Sequence, residues 1–125
     1  IWVSFVLKNE THLLSGDRLT DSLSMLNYYQ IEMVLLNCNP LVRTKRAVGN
    51  IVDNPIGSWG ISPNLGMGEP SPDGCIVKHE PMEKYLSLVE HALNSGASVI
   101  GACCGSSPEH IAEIKKLKYD FTEKP

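Results

Sequence analysis

Four cysteines are the residues of this chain whose type and spacing could support chemistry. Cys103 and Cys104 are adjacent and follow the apolar run 97–102, while Cys38 follows a second apolar run, 33–36. Such runs are typical of buried parallel strands, and α/β proteins place their ligands beyond the carboxyl ends of those strands. A lone unpaired cysteine is usually a small core residue. An adjacent pair at one strand end, with a third thiol at another, favours a metal site.

Strands and helices alternate along the rest of the chain. The apolar patterns predict strands at residues 1–7, 33–36, 59–62 and 97–102 and helices at residues 20–29, 41–48, 81–95 and 108–118. This alternation indicates parallel βα units, because a parallel connection needs a crossover. Four such units are half of a (β/α)8 TIM barrel, which takes about 250 residues. The 125 residues are therefore predicted to form one α/β domain of that partial type.

The segment after the cysteine pair is predicted to turn tightly and open a helix. Neighbouring side chains of a strand point to opposite faces, so both thiols can face one point only if the chain turns there, which Gly105 permits. Ser107 is predicted to cap the helix, with Pro108 at its first position. Free backbone N–H groups of residues 107–109 would then lie beside the thiols, where they suit a carboxylate.

A loop rich in glycine and proline, residues 64–74, follows the third predicted strand. Loops of this length over a strand end are often part of a site. Two roles fit Asn64 equally well: it can orient a substrate carboxylate or carbonyl, or it can serve only as a turn residue. Cys75 lies beyond the loop and is predicted to be a structural or exposed thiol.

Three segments of the chain resemble the homocysteine S-methyltransferase family. Gly-Ala-Cys-Cys-Gly-Ser-Ser-Pro-Glu-His-Ile at 101–111 resembles the family's Gly-Gly-Cys-Cys-Gly-Thr-x-Pro-x-His-Ile, with Ala102 and Ser106 as conservative departures. Asn37-Cys38 is similar to the step that carries the family's third cysteine, and Ser-Pro-Asn-Leu-Gly at 62–66 resembles its Tyr-Pro-Asn-x-Gly loop with serine for tyrosine. The order of these segments agrees along nearly the whole chain.

The resemblance implies that residues 1–125 are a partial homocysteine-binding domain, the C-terminal half of the barrel. It implies homocysteine as the substrate and methionine as the product. The methyl donor stays open among S-methylmethionine, betaine, a folate and other compounds. The first-strand loop that helps to hold the amino acid in the family would belong to the other half.

Zinc is the cofactor that three thiols fit best. It binds thiolate sulfur at about 2.3 Å, and catalytic zinc typically has three protein ligands and one open position. Three thiolates on Zn²⁺ leave a formal charge of −1, so a substrate thiol would lose its proton and remain nucleophilic. Cys38, Cys103 and Cys104 are therefore the predicted zinc ligands, and no catalytic residue is required beyond them.

Composition excludes several other classes of function. The net charge of −3 is spread without a basic stripe, which argues against a nucleic-acid partner, and no apolar run approaches the length of a membrane span. Four cysteines are too sparse for a disulfide scaffold. We therefore expect a cytoplasmic protein with reduced thiols, and self-association through exposed sheet edges where strands are unpaired.

Two alternatives to an enzyme domain remain. The chain can be a non-catalytic zinc-binding or remnant domain that acts as an interaction partner, because half of the barrel is absent from the pattern. A thiol redox protein is disfavoured, because the cysteines are adjacent and lack the two-residue spacing of redox motifs.

Overall fold

Strands and helices alternate in the computed structural model, which describes residues 1–54, 56–68 and 71–122. The strands are β1 (Trp2–Phe5), β2 (Met33–Pro40), β3 (Ser58–Asn64) and β4 (Val99–Ile100), and the helices are α1 (Leu19–Leu26), α2 (Leu41–Asp53), α3 (Met82–Asn94) and α4 (Pro108–Thr122). All eight predicted elements are present, with shifts in their bounds.

The four strands form one parallel sheet in chain order, β1-β2-β3-β4. Successive helices pack side by side: α1 contacts α2, α2 contacts α3, and α3 contacts α4. A doubly wound sheet would reverse its strand order, whereas a barrel wall keeps chain order with its helices in one layer. The predicted fold class, parallel βα units of a barrel, is confirmed.

The core lies between this sheet and the helix layer. Helix α3 shows how the sequence builds it, because Tyr85, Leu88, Val89 and Ala92 recur at helical spacing and are all buried. Leu36 of β2 is fully buried in the same cluster. Burying an aliphatic side chain of this size contributes about 1.5–3 kcal/mol, so the buried residues of α3 are the main contribution that holds this helix to the sheet.

Helix α2 is longer and strand β4 is shorter than the sequence predicts. Helix α2 continues past residue 48 to Asp53 because Ile51 extends its buried face. The regular part of β4 covers two residues of the predicted 97–102. The segment around it nevertheless stays bonded to β3, since the N–H groups of Ser98, Gly101 and Cys103 donate to β3 carbonyls at 2.8–2.9 Å. Helix α4 runs one turn beyond residue 118.

Gly60 lets β4 approach β3 closely. A Cβ at this position would overlap the carbonyl oxygen of Val99, so a larger residue would push the two strands apart. The close approach matters for the site, because β4 leads directly to the cysteine pair.

Strand β1 pairs only with β2 within the described residues, and its outer side is open. Ile1 is 72% exposed and Trp2 is 58% exposed. The apolar edge that the sequence predicts is therefore present. In the described part of the chain, helices are too short or too polar to cross a bilayer.

Candidate metal centre

The sulfur atoms of Cys38, Cys103 and Cys104 lie together at the carboxyl ends of β2 and β4. Cys38 Sγ is 3.5 Å from Cys104 Sγ, and Cys103 Sγ is 3.9 Å from Cys104 Sγ. All three sulfurs lie within 4.8 Å of one another. Among the cysteine, histidine and acidic side chains of the described residues, these three cysteines are the group that lies close enough together to share an ion.

The spacing of the three sulfurs fits a zinc ion. Ligands at about 2.3 Å in a tetrahedral set are separated by about 3.8 Å, close to the sulfur separations of 3.5 Å for Cys38–Cys104 and 3.9 Å for Cys103–Cys104. All three cysteines are free thiols. The fold thus brings together three thiols that fit zinc as a donor set.

A turn after β4 brings both adjacent thiols to one point, as the sequence predicts. The Cys103 N–H donates to Pro63 O at 2.9 Å, and the Leu65 N–H donates to Cys104 O at 2.8 Å. Gly105 has φ +78°, and a Cβ there would lie 3.0 Å from the backbone nitrogen of Gly66. The cysteine pair is thus tied to the end of β3 on both sides of its turn.

Cys38 reaches the pair through an irregularity in β2. Its φ is +57°, the left-handed region that favours glycine. The register between β2 and β3 shifts between Asn37 and Pro40, so β2 holds one extra residue there. This bulge turns the thiol away from the regular alternation of the strand and toward Cys104.

The pKa of the Cys38 thiol is raised to about 12. Burial is the main cause, and the hydrogen bonds and charges of the other two thiols add to it. At neutral pH the bare Cys38 therefore keeps its proton. A bound cation would have to displace this proton for Cys38 to act as a thiolate ligand.

Asn64 serves as a turn residue in the structure and also faces a cavity. Its Oδ1 accepts a hydrogen bond from the Gly66 N–H at 2.8 Å. The cavity of about 160 Å³ lies beside Cys104, and Met67 and Ile76 supply its apolar lining. The turn role is observed, while a substrate-binding role for the other end of the amide stays a prediction. Cys75 is exposed and lies outside the three-thiol group.

The β4–α4 junction is held by side chains that the sequence patterns do not single out. The Tyr85 hydroxyl donates to Gly101 O at 2.8 Å, and burial raises its pKa. The Tyr85 ring packs edge-on against His110 at 5.6 Å. His79, an exposed residue, donates from Nδ1 to Gly105 O at 3.0 Å. A buried tyrosine needs a hydrogen-bond partner, and this was the available signal for Tyr85.

The start of α4 differs from the prediction that its backbone N–H groups are free. Ser107 lies at the helix start, where its N–H donates to His110 Nδ1 at 3.1 Å and its Oγ lies 3.0 Å from the same nitrogen. Pro108 has no N–H. Two of the three residues predicted to offer a carboxylate site therefore cannot do so, because the cap is satisfied internally by a histidine in place of the usual glutamate.

A family model described as homocysteine S-methyltransferase matches residues 1–117. Homocysteine S-methyltransferase YbgG from Bacillus subtilis (strain 168) is 28% identical over 114 residues, covering 90% of this chain and 36% of that protein. Homocysteine S-methyltransferase from Escherichia coli (strain K12) is 29% identical over 116 residues, covering 91% and 37%. The chain thus spans just over a third of the length of these relatives.

Solved structures agree with the sequence relatives. The homocysteine methyltransferase MmuM from Escherichia coli in its metallated form matches with a TM-score of 0.74 at 25% identity, over 93% of this chain and 35% of that chain. The apo form of the same protein matches with a TM-score of 0.70 at 27% identity, over 92% and 38%. The four βα units therefore correspond to a fragment of that protein's TIM-barrel fold.

Proposed function

Because the chain belongs to the homocysteine S-methyltransferase family, we propose that it forms the zinc-binding part of a domain that transfers a methyl group to homocysteine and gives methionine. The observation that carries this proposal is the convergence of the Cys38, Cys103 and Cys104 sulfurs within 4.8 Å of one another. These three thiolates would hold the ion. The ion, when bound, would lower the pKa of a substrate thiol and keep it nucleophilic near neutral pH.

The protein's own residues would hold the site rigid and shape the space next to it. The turn at the cysteine pair is bonded to β3 on both sides, so the two thiols need little reorganisation to bind. The cavity beside Cys104 combines apolar walls with the Asn64 amide. We propose that homocysteine places its side chain there, with the Asn64 Nδ2 group directed to its carboxylate. No acid or base is needed if the methyl donor is an onium ion.

We place this activity in the cytoplasm, for a chemical reason. All four cysteines are free thiols, and three of them must stay reduced to bind the metal. Cytosolic glutathione and thioredoxin maintain that state, whereas oxidising compartments convert close thiols to disulfides.

A non-catalytic zinc-binding role is the alternative to this proposal. A domain of this kind would bind zinc and a partner protein without turnover.

Binding of Co²⁺ in place of zinc tests the proposal on this chain directly. Thiolate-to-cobalt charge transfer should appear on loading, and homocysteine should increase it by adding a fourth thiolate. Methionine is the matched control, since it has the same amino acid part without a free thiol. An increase with homocysteine alone supports the enzyme proposal. A cobalt signal that homocysteine does not change supports the non-catalytic alternative, and no cobalt signal overturns both.

Methyl transfer is then measured in a protein of full family length that carries this chain. Turnover of homocysteine to methionine should need zinc and should be lost in Cys104→Ser. Turnover that survives removal of the metal would contradict the proposed role of the cluster.

A further inference from the structure

Asn39 is a fully buried polar side chain next to the proposed ligand Cys38. Its Oδ1 accepts a hydrogen bond from the Leu7 N–H at 2.7 Å, and its Nδ2 donates to Phe5 O at 3.2 Å. Both partners are backbone groups of the neighbouring chain segment at the end of β1. The side chain therefore bonds to main chain at both ends of its amide, in a fully buried position.

This amide takes the place of a peptide group in the sheet. Regular pairing of β1 with β2 ends at Phe5 and Leu36. Beyond that rung, the Asn39 side chain supplies the acceptor and the donor that a strand backbone would otherwise supply. The end of β1 stays paired although the backbone of β2 has left the ladder.

The departure of the β2 backbone is what places the Cys38 thiol. Cys38 has φ +57° and lies within the register shift between Asn37 and Pro40. Such a conformation persists in a residue other than glycine only when its surroundings hold it. The next residue is held on three sides, because the Asn39 carbonyl also accepts from Thr44 Oγ1 at 3.1 Å.

We propose that Asn39 is a positioning residue for Cys38: its side-chain amide anchors the bulge that brings the Cys38 thiol to Cys104. An effect of Asn39 on zinc binding rests on the proposed function. Its effect on the position of the Cys38 thiol does not. Asn39 touches neither metal nor substrate in this role. It acts through the backbone of Cys38.

Cross-linking of the two thiols measures their placement without any metal. Diamide takes up the two thiol hydrogens as the S–S bond forms, so the rate of the Cys38–Cys104 link, mapped by mass spectrometry, reports how often the sulfurs meet. The chain carries Cys75→Ser to remove the exposed thiol. Asn39→Ala is compared with Asn50→Ala, which removes a side-chain bond from Asn50 Nδ2 to Glu10 O in the same β1–α1 connection.

We expect linkage in Asn39→Ala to be about tenfold slower or more, with Asn50→Ala unchanged. Both variants are assayed well below their melting temperatures, so a merely structural role would lower the melting temperature without changing the rate. If Asn39→Ala does not fold, Asn39→Asp decides, because it keeps the volume and the acceptor for Leu7 and lacks the donor to Phe5. Linkage at the wild-type rate in whichever variant folds overturns the proposal.

Cobalt binding by the same variants separates this inference from the proposed function. If wild type binds Co²⁺ and folded Asn39→Ala binds it about tenfold more weakly or worse, both stand. If wild type binds no Co²⁺ while linkage still falls in Asn39→Ala, the zinc proposal fails and the positioning role of Asn39 holds.

Discussion

Cys38 Sγ and Cys104 Sγ lie 3.5 Å apart although 66 residues separate them in the chain. The contact exists because β2 and β4 are parallel and flank β3, so that their carboxyl ends share one edge of the sheet. Local chain geometry cannot create it, in contrast to a zinc finger whose ligands close a short loop. Metal affinity should therefore be linked to folding, since an ion that binds only the folded chain stabilises that chain.

Serine substitution at any one of the three clustered cysteines should remove most of the bound zinc. Two thiolates leave two coordination positions to water, and competing chelators then remove the zinc. We expect Cys38→Ser, Cys103→Ser and Cys104→Ser each to fall from near one zinc per chain to a small fraction of it. Metal content of the purified variants, measured by atomic emission, checks this.

Cys75→Ser is the matched control, because Cys75 is exposed and lies outside the cluster. It should keep the zinc content of the wild type. Equal zinc in Cys75→Ser and Cys103→Ser would show that the cluster is not the site.

Zinc affinity should rise with pH. The pKa of the Cys38 thiol in the metal-free chain is raised from 9.0 to about 12, so its proton must leave when the metal binds. Each proton released changes the affinity about tenfold per pH unit. Competition with a chromophoric chelator from about pH 6 to about pH 8 measures the slope. A flat profile would mean that the thiols are not the ligands.

Periodicity and local chemistry predicted most of the fold. Helix α3 was predicted from the spacing of Tyr85, Val89 and Ala92, and β2 from the apolar run that begins at Met33, because burial imposes these patterns on one element at a time. The parallel topology alone predicted that the strand ends at Cys38, Asn64 and Cys103 lie on one side of the sheet. What a single element or a parallel connection dictates is therefore visible in sequence.

The features that sequence could not show depend on contacts between elements. The positive φ of Cys38 has no glycine to mark it, and the buried amide of Asn39 looks like any loop asparagine until β1 is packed beside it. The bond from Tyr85 to Gly101 likewise joins α3 to the residue that follows β4, 16 positions along the chain. Such positions become predictable only when the neighbouring backbone groups that need partners are known.

Tyr85→Phe should destabilise the chain by about 1–2 kcal/mol. The change keeps the ring against His110 and removes the hydroxyl donor, which leaves the half-buried Gly101 O without that bond. Urea denaturation followed by circular dichroism measures the difference. Tyr29→Phe is the control, because Tyr29 is 62% exposed, and a loss there as large as at Tyr85 would contradict the argument.

The open edge at β1 should support self-association. Ile1 and Trp2 are exposed there, and unpaired strand edges with apolar side chains pair with other chains. Trp2→Lys adds a charge of the kind that natural proteins use to block such pairing, so it should shift the chain toward monomer in sedimentation velocity. Tyr28→Lys, at a side chain 87% exposed outside the strand, should leave the distribution unchanged. An identical shift in both variants would trace the effect to net charge.

Substitution of Asn64 separates its observed turn role from the proposed contact with substrate. Asn64→Asp keeps an oxygen that accepts from the Gly66 N–H, so the turn should survive and the free energy of unfolding should stay within about 0.5 kcal/mol. Asn64→Ala loses that acceptor and should cost about 1 kcal/mol.

If the Nδ2 group binds the homocysteine carboxylate, Asn64→Asp replaces a donor with a like charge and should weaken homocysteine binding about tenfold or more while zinc content is unchanged. Homocysteine titration of the cobalt-loaded chain measures this, and wild-type affinity in folded Asn64→Asp would leave Asn64 with the turn alone.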